Sequence, residues 1–170
     1  MFLLKIVLFA SVFKKSPALF LFKSIQCKVI DPTFGRFDLC QVRLENKTAS
    51  WISVHAHLEK LPLTNARMTL STGFDKTKSM PLFNNTWDVC NFLKNRKRNR
   101  AFGRVFDFIA PYTNLNHSCP YNHDIYVNNF TFYGKKRLMP LPKGGYYVHT
   151  SYTVDGKPRM SVDISFELYD

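Results

Sequence analysis

The sequence predicts an all-β fold, an antiparallel β-sandwich of about seven strands with one short helical insertion. From Ile25 onward, apolar and polar residues alternate with a period of two in most segments. This alternation is typical of an antiparallel sheet with one face toward water. Turn signals rich in Gly, Pro and Asn separate these segments at the spacing of a sandwich. Helical spacing is confined to the stretch between Trp87 and Pro111.

Three strands are predicted in the first half of the chain, over 39–45, 50–59 and 65–72. The strand over 50–59 has the most regular alternation, with its even-numbered apolar residues toward the core. The strand over 65–72 repeats the pattern, with Ala66 and Met68 inside.

The helical insertion follows a connection rich in turn residues. Thr86 is predicted to be the N-cap of a helix that begins at Trp87, with Asp88 favourably placed in its first turn. The basic run 94–100 lies at the C-terminal end of this helix, where cations are favourable. Apolar residues with helical spacing over 102–109 predict a second helix, which Pro111 ends.

The strand pattern then returns. In the strand over 124–133 the apolar parity switches after Val127, which predicts a bulge at Asn128–Asn129. A further alternating strand leads to Asp155-Gly156, a dipeptide that favours a tight hairpin turn. Its hairpin partner is predicted over 159–169.

The four cysteines suggest two disulfides, for which three connectivities are open. We favour Cys27–Cys40 and Cys90–Cys119, because the members of each pair are near in sequence. The second bridge ties the helical insertion to the start of a strand and closes a loop of about thirty residues, worth roughly 3–4 kcal/mol. The alternative is four free, buried thiols in a cytosolic domain.

The compartment is predicted from the N-terminus and the glycosylation motifs. Residues 1–23 are interpreted as a signal peptide, because residues 2–13 are almost wholly apolar yet too short to span a membrane. Residues 24–170 then form a single folded domain. Four Asn-x-Ser/Thr motifs make candidate N-glycosylation sites of Asn46, Asn84, Asn116 and Asn129. Together these features predict a secreted, disulfide-bonded glycoprotein.

The formal net charge of +12 indicates an anionic partner. The segment 1–23 holds four lysines and no acid, so removing it leaves 12 − 4 = +8. Secretion makes nucleic acid the least favoured partner. The basic run 94–100 is either a solvated helix end or a contact with an anionic membrane surface or an acidic glycan.

Neither catalysis nor metal binding is predicted. His55 and His57 share one strand face, but no third ligand accompanies them. Ser118, His117 and Asp124 contain the residue types of a hydrolase triad, yet nothing like a nucleophile elbow surrounds the serine. We therefore expect no enzyme activity, no metal and no cofactor.

A set of apolar residues is the candidate for ligand binding. Such residues either line a cavity that accepts an apolar guest or fill the sandwich core, and composition does not separate the two. The candidates are Ile52, Val54, Met68, Leu70, Phe102, Phe106, Ile109, Phe130, Phe132 and Phe166.

Three segments carry a family resemblance: Trp87-Asp-Val-Cys-Asn-Phe-Leu93, Asn114-Leu-Asn-His-Ser-Cys-Pro-Tyr121 and Pro140-Leu-Pro-Lys-Gly-Gly-Tyr146. They resemble an insect family of small secreted proteins of unknown function. That family is distantly related to the lipid-recognition ML domain and to chemosensory perireceptor proteins. Gly145 departs from the family's usual turn, which has an acidic residue at that place.

The resemblance implies an immunoglobulin-like, ML-like sandwich that binds a lipid or other apolar molecule between its sheets, and it supplies no established ligand residues. We therefore expect a secreted binding protein for a small hydrophobic ligand, lipid-, fatty-acid- or pheromone-like, in a carrier or perireceptor role. The alternative is an extracellular protein–protein interaction module with a packed core and a receptor as its partner.

Overall fold

In a computed structural model, which describes residues 19–45, 47–75, 80–133 and 141–169, the chain forms two antiparallel sheets and a short helical insertion. The strands are β1 (Leu19–Val29), β2 (Gly35–Glu45), β3 (Ala49–Leu58), β4 (Arg67–Phe74), β5 (Phe83–Asp88), β6 (Ile125–Phe130), β7 (Gly144–Val154) and β8 (Lys157–Tyr169). The helices are α1 (Val89–Lys94) and α2 (Arg100–Ile109), with single 3-10 turns at Arg96–Arg98 and Ala110–Tyr112. This arrangement confirms the all-β, sandwich-like fold.

The two sheets differ in width. One has five strands in the order β1-β8-β7-β4-β5, and the other has three in the order β2-β3-β6. The Cys27–Cys40 disulfide joins β1 to β2 and so links the two sheets covalently. The Cys90–Cys119 disulfide joins α1 to the segment before β6. Both predicted pairings are therefore confirmed.

Local details of the predicted strands are also confirmed. Ile52 pairs with Phe130 while Val54 pairs with Val127, so β6 carries one extra residue between these pairs. Asn129, in that bulge, has a φ of 49°. The turn from β7 to β8 places two consecutive residues at positive φ, which suits a tight hairpin with the right-handed twist of its strands.

Two boundaries differ from prediction. Residues 19–22, which fall within the segment interpreted as a signal peptide, pair with β8, so strand β1 begins before the alternation that starts at Ile25. Residues 1–18 lie outside the described part, and the signal peptide itself stays a prediction. The first helix begins at Val89 rather than Trp87, because residues 83–88 form the unpredicted strand β5 alongside β4. Its N-cap is therefore Asp88, whose carboxylate accepts from the Asn91 N–H, and not Thr86.

The core contains two clusters of buried side chains. The first consists of Phe22, Ile52, Phe130, Tyr146, Phe166 and Leu168. The second consists of Phe34, Leu58, Ala66, Val154 and Met160. Both lie on the inner face of the five-stranded sheet, because β7 and β8 contribute alternate residues to each.

Candidate hydrophobic ligand site

The inner face of the five-stranded sheet is only partly covered where it passes over β4. Met68 is paired with Tyr152 of β7 and with Trp87 of β5, so these three side chains share that face. Leu70 follows two residues along the same strand. Met68, Leu70, Tyr152 and Trp87 are each half-buried, which marks this part of the sheet as an apolar surface between the packed core and solvent.

Five aromatic rings cover the edge of this surface, and we call them the helical aromatic cluster: Phe83, Trp87, Phe92, Phe102 and Phe106. The Trp87 ring stacks on Phe102 with centroids 4.2 Å apart and on Phe83 at 5.7 Å. Phe92 of α1 meets the edges of Phe102 at 4.5 Å and of Phe106 at 5.5 Å. The cluster therefore joins both helices to the end of β5.

Local sequence explains why the helices present these rings to the sheet. Asp88 caps α1, and the Asn99 side chain caps α2 by accepting from the Phe102 N–H at 3.2 Å. In α2, Phe102 and Phe106 are four residues apart and lie on one face, while Arg104 and Asp107 are exposed. The helices are short, and burial of their apolar faces is what stabilises them.

One polar atom in the cluster has no partner among the residues that the structure describes. The indole Nε1 of Trp87 is buried and makes no hydrogen bond to any residue in the described ranges. Leaving a buried donor unpaired costs about 1–3 kcal/mol. Removing that cost would take an acceptor oxygen, such as one carried by a bound molecule.

The predicted lining residues separate into groups. Ile52, Phe130 and Phe166 are buried in the first core cluster, and Ile109 and Phe132 pack against it. Phe102 and Phe106 belong to the helical aromatic cluster, and Met68 and Leu70 lie on the neighbouring sheet face. Val54 is half-buried in β3 opposite Val127. Packing accounts for the buried members, and a ligand role for any of these residues stays a prediction.

Trp87 was not among the predicted lining residues, because the sequence interpretation placed it at the start of a helix. The signal that identifies it is the alternation Phe83, Asn85, Trp87, which puts two aromatic residues on one face of a strand. That pattern is interrupted by asparagines and spans only six residues.

The segment around Cys119 anchors α1 through the Cys90–Cys119 disulfide. Tyr121 has no exposed surface, and its hydroxyl donates to the backbone carbonyl of His117. Burial raises the pKa of this phenol above its usual value. A backbone bridge between Tyr121 and Leu63 attaches the loop to the segment that precedes β4, so α1 and the sheet edge share a rigid support.

A separate depression lies on the surface of the three-stranded sheet. It is open, measures about 650 Å³, and is lined mostly by the segment before β6, with Asn114, Asn116, His117, His123, Asp124 and Tyr126 around it. The Asp124 carboxylate accepts from the Leu58 N–H at 2.9 Å and contacts His57 Nδ1 at 2.8 Å. The hydrogen bond from the Leu58 N–H holds the pKa of Asp124 below its usual value, and the hydrogen bond with His57 contributes less.

His55, His57 and two members of the Ser118, His117 and Asp124 set make hydrogen bonds within the fold. His55 contacts Asn128, and His57 is engaged by Asp124. His117 Nδ1 contacts the backbone carbonyl of Ser118 at 2.7 Å, and Asp124 is bonded to His57 instead. Within the ranges that the structure describes, no three His, Cys, Asp or Glu side chains converge as metal ligands would.

Three of the four glycosylation candidates are described, and all three are exposed: Asn84, Asn116 and Asn129. Asn129 lies in the β6 bulge, and its N–H donates to the Ser53 hydroxyl at 3.0 Å. Asn46 is outside the described residues. None of the described helices is long and apolar enough to cross a membrane.

Comparison with curated proteins gives no significant match. A family model described as a protein of unknown function, DUF1091, matches residues 64–148, half of the 170-residue chain. The matched part runs from the approach to β4 into β7 and contains the helical aromatic cluster and the Cys90–Cys119 bridge. The chain therefore belongs to the DUF1091 family of proteins of unknown function.

Proposed function

We infer that this protein is a secreted, glycosylated binding protein for a small hydrophobic ligand that carries an acceptor oxygen. Fatty acids, esters and similar pheromone-like molecules have this chemistry. The observation that supports the proposal most directly is the buried, unpaired N–H of Trp87 beside a half-buried apolar sheet face. The two disulfides fit an extracellular protein. The proposal also takes the family to be the insect group related to ML domains that the sequence resembles.

The ligand's apolar chain would lie along Met68 and Leu70, between β4 and the rings of Phe102 and Phe106. Burial of this surface is worth about 25 cal/mol per Å² before the costs of association. The oxygen of the ligand would accept from Trp87. A site between the two sheets would instead have to open among the buried rings of the first core cluster.

The second candidate is an extracellular interaction module without a ligand. Two observations favour it: Phe130 and Phe166 are buried among their neighbours, and β5 is a free sheet edge with five of its six residues exposed. An exposed edge strand can add a strand from a partner. A receptor would be that partner.

The two tryptophans allow a direct test. Trp51 lies on β3 of the other sheet, with the Arg43 guanidinium 5.2 Å from its ring centroid, far from the proposed site in the fold. Trp51→Phe leaves Trp87 as the only tryptophan, and Trp87→Phe leaves only Trp51. We expect a brominated fatty acid to quench the tryptophan fluorescence of the Trp51→Phe variant. The fluorescence of the Trp87→Phe variant should stay unchanged.

The outcomes separate the two candidates. Saturable quenching of Trp87 alone, together with lipid that co-purifies in native mass spectra, supports the ligand-binding protein. Equal quenching of both variants indicates non-specific adsorption and refutes the site. Absence of quenching, with no lipid in the mass spectra, supports the interaction module.

A further inference from the structure

The cations of the basic run 94–100 are all exposed. Six cations are exposed between residues 94 and 104: Lys94, Arg96, Lys97, Arg98, Arg100 and Arg104. In the described part of the chain, the ion pair of this segment is that of Arg96 with Asp107, at 3.8 Å between exposed groups. With one acid among them, residues 94–107 carry a net charge of +5, a concentrated positive surface that folding leaves largely unneutralised.

An exposed apolar edge leads to this positive surface. Met80 is 74% exposed, Leu82 58% and Phe83 43%. Phe83 is stacked on Trp87, which is stacked on Phe102 of α2, and Arg100 and Arg104 flank Phe102 in that helix. The stacked rings therefore link the strand that carries Phe83 to α2, the helix that begins at Arg100 of the basic run.

We propose that this surface, comprising residues 80–83 and the basic run, docks the protein onto anionic lipid membranes. Cations close to a negatively charged leaflet are attracted to it, and exposed apolar side chains beside them enter the interfacial region. A sulfated glycan would satisfy the cations but leave the exposed side chains of Met80 and Leu82 without an apolar contact. The apolar edge therefore favours a bilayer over a polyanionic glycan.

The nearest glycosylation candidate lies on the face of β5 opposite Phe83. Asn84 follows Phe83 in β5, and successive side chains of a strand point to opposite faces. A glycan on Asn84 therefore extends from the outer face of the sheet, opposite to the face that carries Phe83 and Trp87. Docking would bring the rings around Trp87 close to the lipid from which the proposed ligand comes, so the inference gives the proposed function a membrane partner.

Vesicle co-sedimentation tests the proposal. The probes are phosphatidylcholine vesicles and the same vesicles containing phosphatidylserine, with disulfide-bonded protein from a eukaryotic secretory host. We expect binding to the anionic vesicles alone, weakening as salt is raised. Lys97→Glu with Arg98→Glu should reduce binding at least roughly tenfold, since each cation near the surface contributes severalfold to affinity.

The matched control is Lys28→Glu with Lys60→Glu, which makes the same change in net charge at exposed positions on β1 and after β3. We expect this control to bind nearly as well as the unmodified protein. Leu82→Ser should weaken binding that persists at high salt, because it removes an apolar contact without a charge. Lys94→Gln with Arg104→Gln provides a second, milder neutralisation should the reversal variant misfold.

Three results would overturn the proposal. Equal binding to neutral and anionic vesicles removes the role of the cations, and equal loss in the control pair shows that only net charge matters. Retention on a sulfated-polymer column without vesicle binding assigns the surface to glycans. Quenching of Trp87 by a soluble ligand is measured without vesicles, so the ligand site can fail or succeed independently of docking.

Discussion

The Cys90–Cys119 bridge permits the most quantitative prediction. Its cysteines are 29 residues apart, and in the chain-entropy model a loop of that length stabilises the folded state by about 3.6 kcal/mol. Replacing both residues with alanine should therefore lower the free energy of unfolding by about 3–4 kcal/mol. Domains of this kind have total stabilities of about 5–15 kcal/mol, so the loss would be a large fraction.

Removing the bridge should loosen the attachment of α1 more than it lowers the stability of the two sheets. Helix α1 has only six residues, too few to persist without tertiary support. The bridge, the Asp88 cap and the burial of Phe92 together hold it against the sheet. Without the bridge we expect the stack on Trp87 to loosen before the sheets separate.

Urea unfolding of the Trp51→Phe background measures both effects. Circular dichroism follows the sheets, and fluorescence follows Trp87 alone. We expect the bridged protein to show coincident transitions, and the Cys90→Ala/Cys119→Ala variant to lose its fluorescence signal at lower urea. The matched comparison is Cys27→Ala/Cys40→Ala, where a separation of 13 predicts a loss of about 2.9 kcal/mol.

A loss below about 1 kcal/mol in the Cys90→Ala/Cys119→Ala variant would refute the entropy argument, because it lies far outside the expected value. Coincident transitions in that variant would refute the idea that α1 depends on the bridge for its attachment.

Three further predictions concern stability. The lowered pKa of Asp124 stabilises the fold above the unfolded-state pKa of about 4, and this contribution is lost as pH falls through the folded-state pKa; Asp124→Asn should make urea stability less sensitive to pH between neutral and acid. Gly35→Ala should cost more than about 2 kcal/mol in urea unfolding, because the new Cβ would lie 2.2 Å from the His57 carbonyl oxygen. Gly145→Ala, with only an ordinary contact at 3.6 Å, is its near-neutral control. Asp88→Ala should cost about 1 kcal/mol as the cap of α1 is lost, and a change below a few tenths would show that the cap contributes little.

The strands with strong alternation were predictable because burial of one face requires an apolar residue at every second position. The clearest are β3 and β8, where inner-face residues are apolar and their neighbours largely polar. The bulge at Asn129 was detectable for the same reason, since an extra residue reverses the parity of the apolar positions. The Asp155-Gly156 turn depends on local φ preferences alone, and so it needs no tertiary information.

Strand β5 was missed because an edge strand buries little and pairs on one side. Five of its six residues are exposed, so periodicity leaves a weak trace. Pairing of Arg67 with Asp88 keeps the backbone extended to the end of β5, and this long-range contact displaced the start of the helix by two residues. Similarly, Phe22 is 3% exposed in β1, and this burial depends on pairing with β8 far along the chain.

The one-dimensional pattern thus predicts the β class, the hairpin and the bulge, and it favours one of three possible disulfide pairings. These depend on neighbours within a strand or on nearby cysteines. The placement of Trp87 against Phe102, and the absence of an acceptor for its N–H among the described residues, depend on how β5 and α2 meet across sequence distance. Periodicity records that a side chain avoids water, whereas only three-dimensional packing decides which neighbours cover it and whether its polar atom finds a partner.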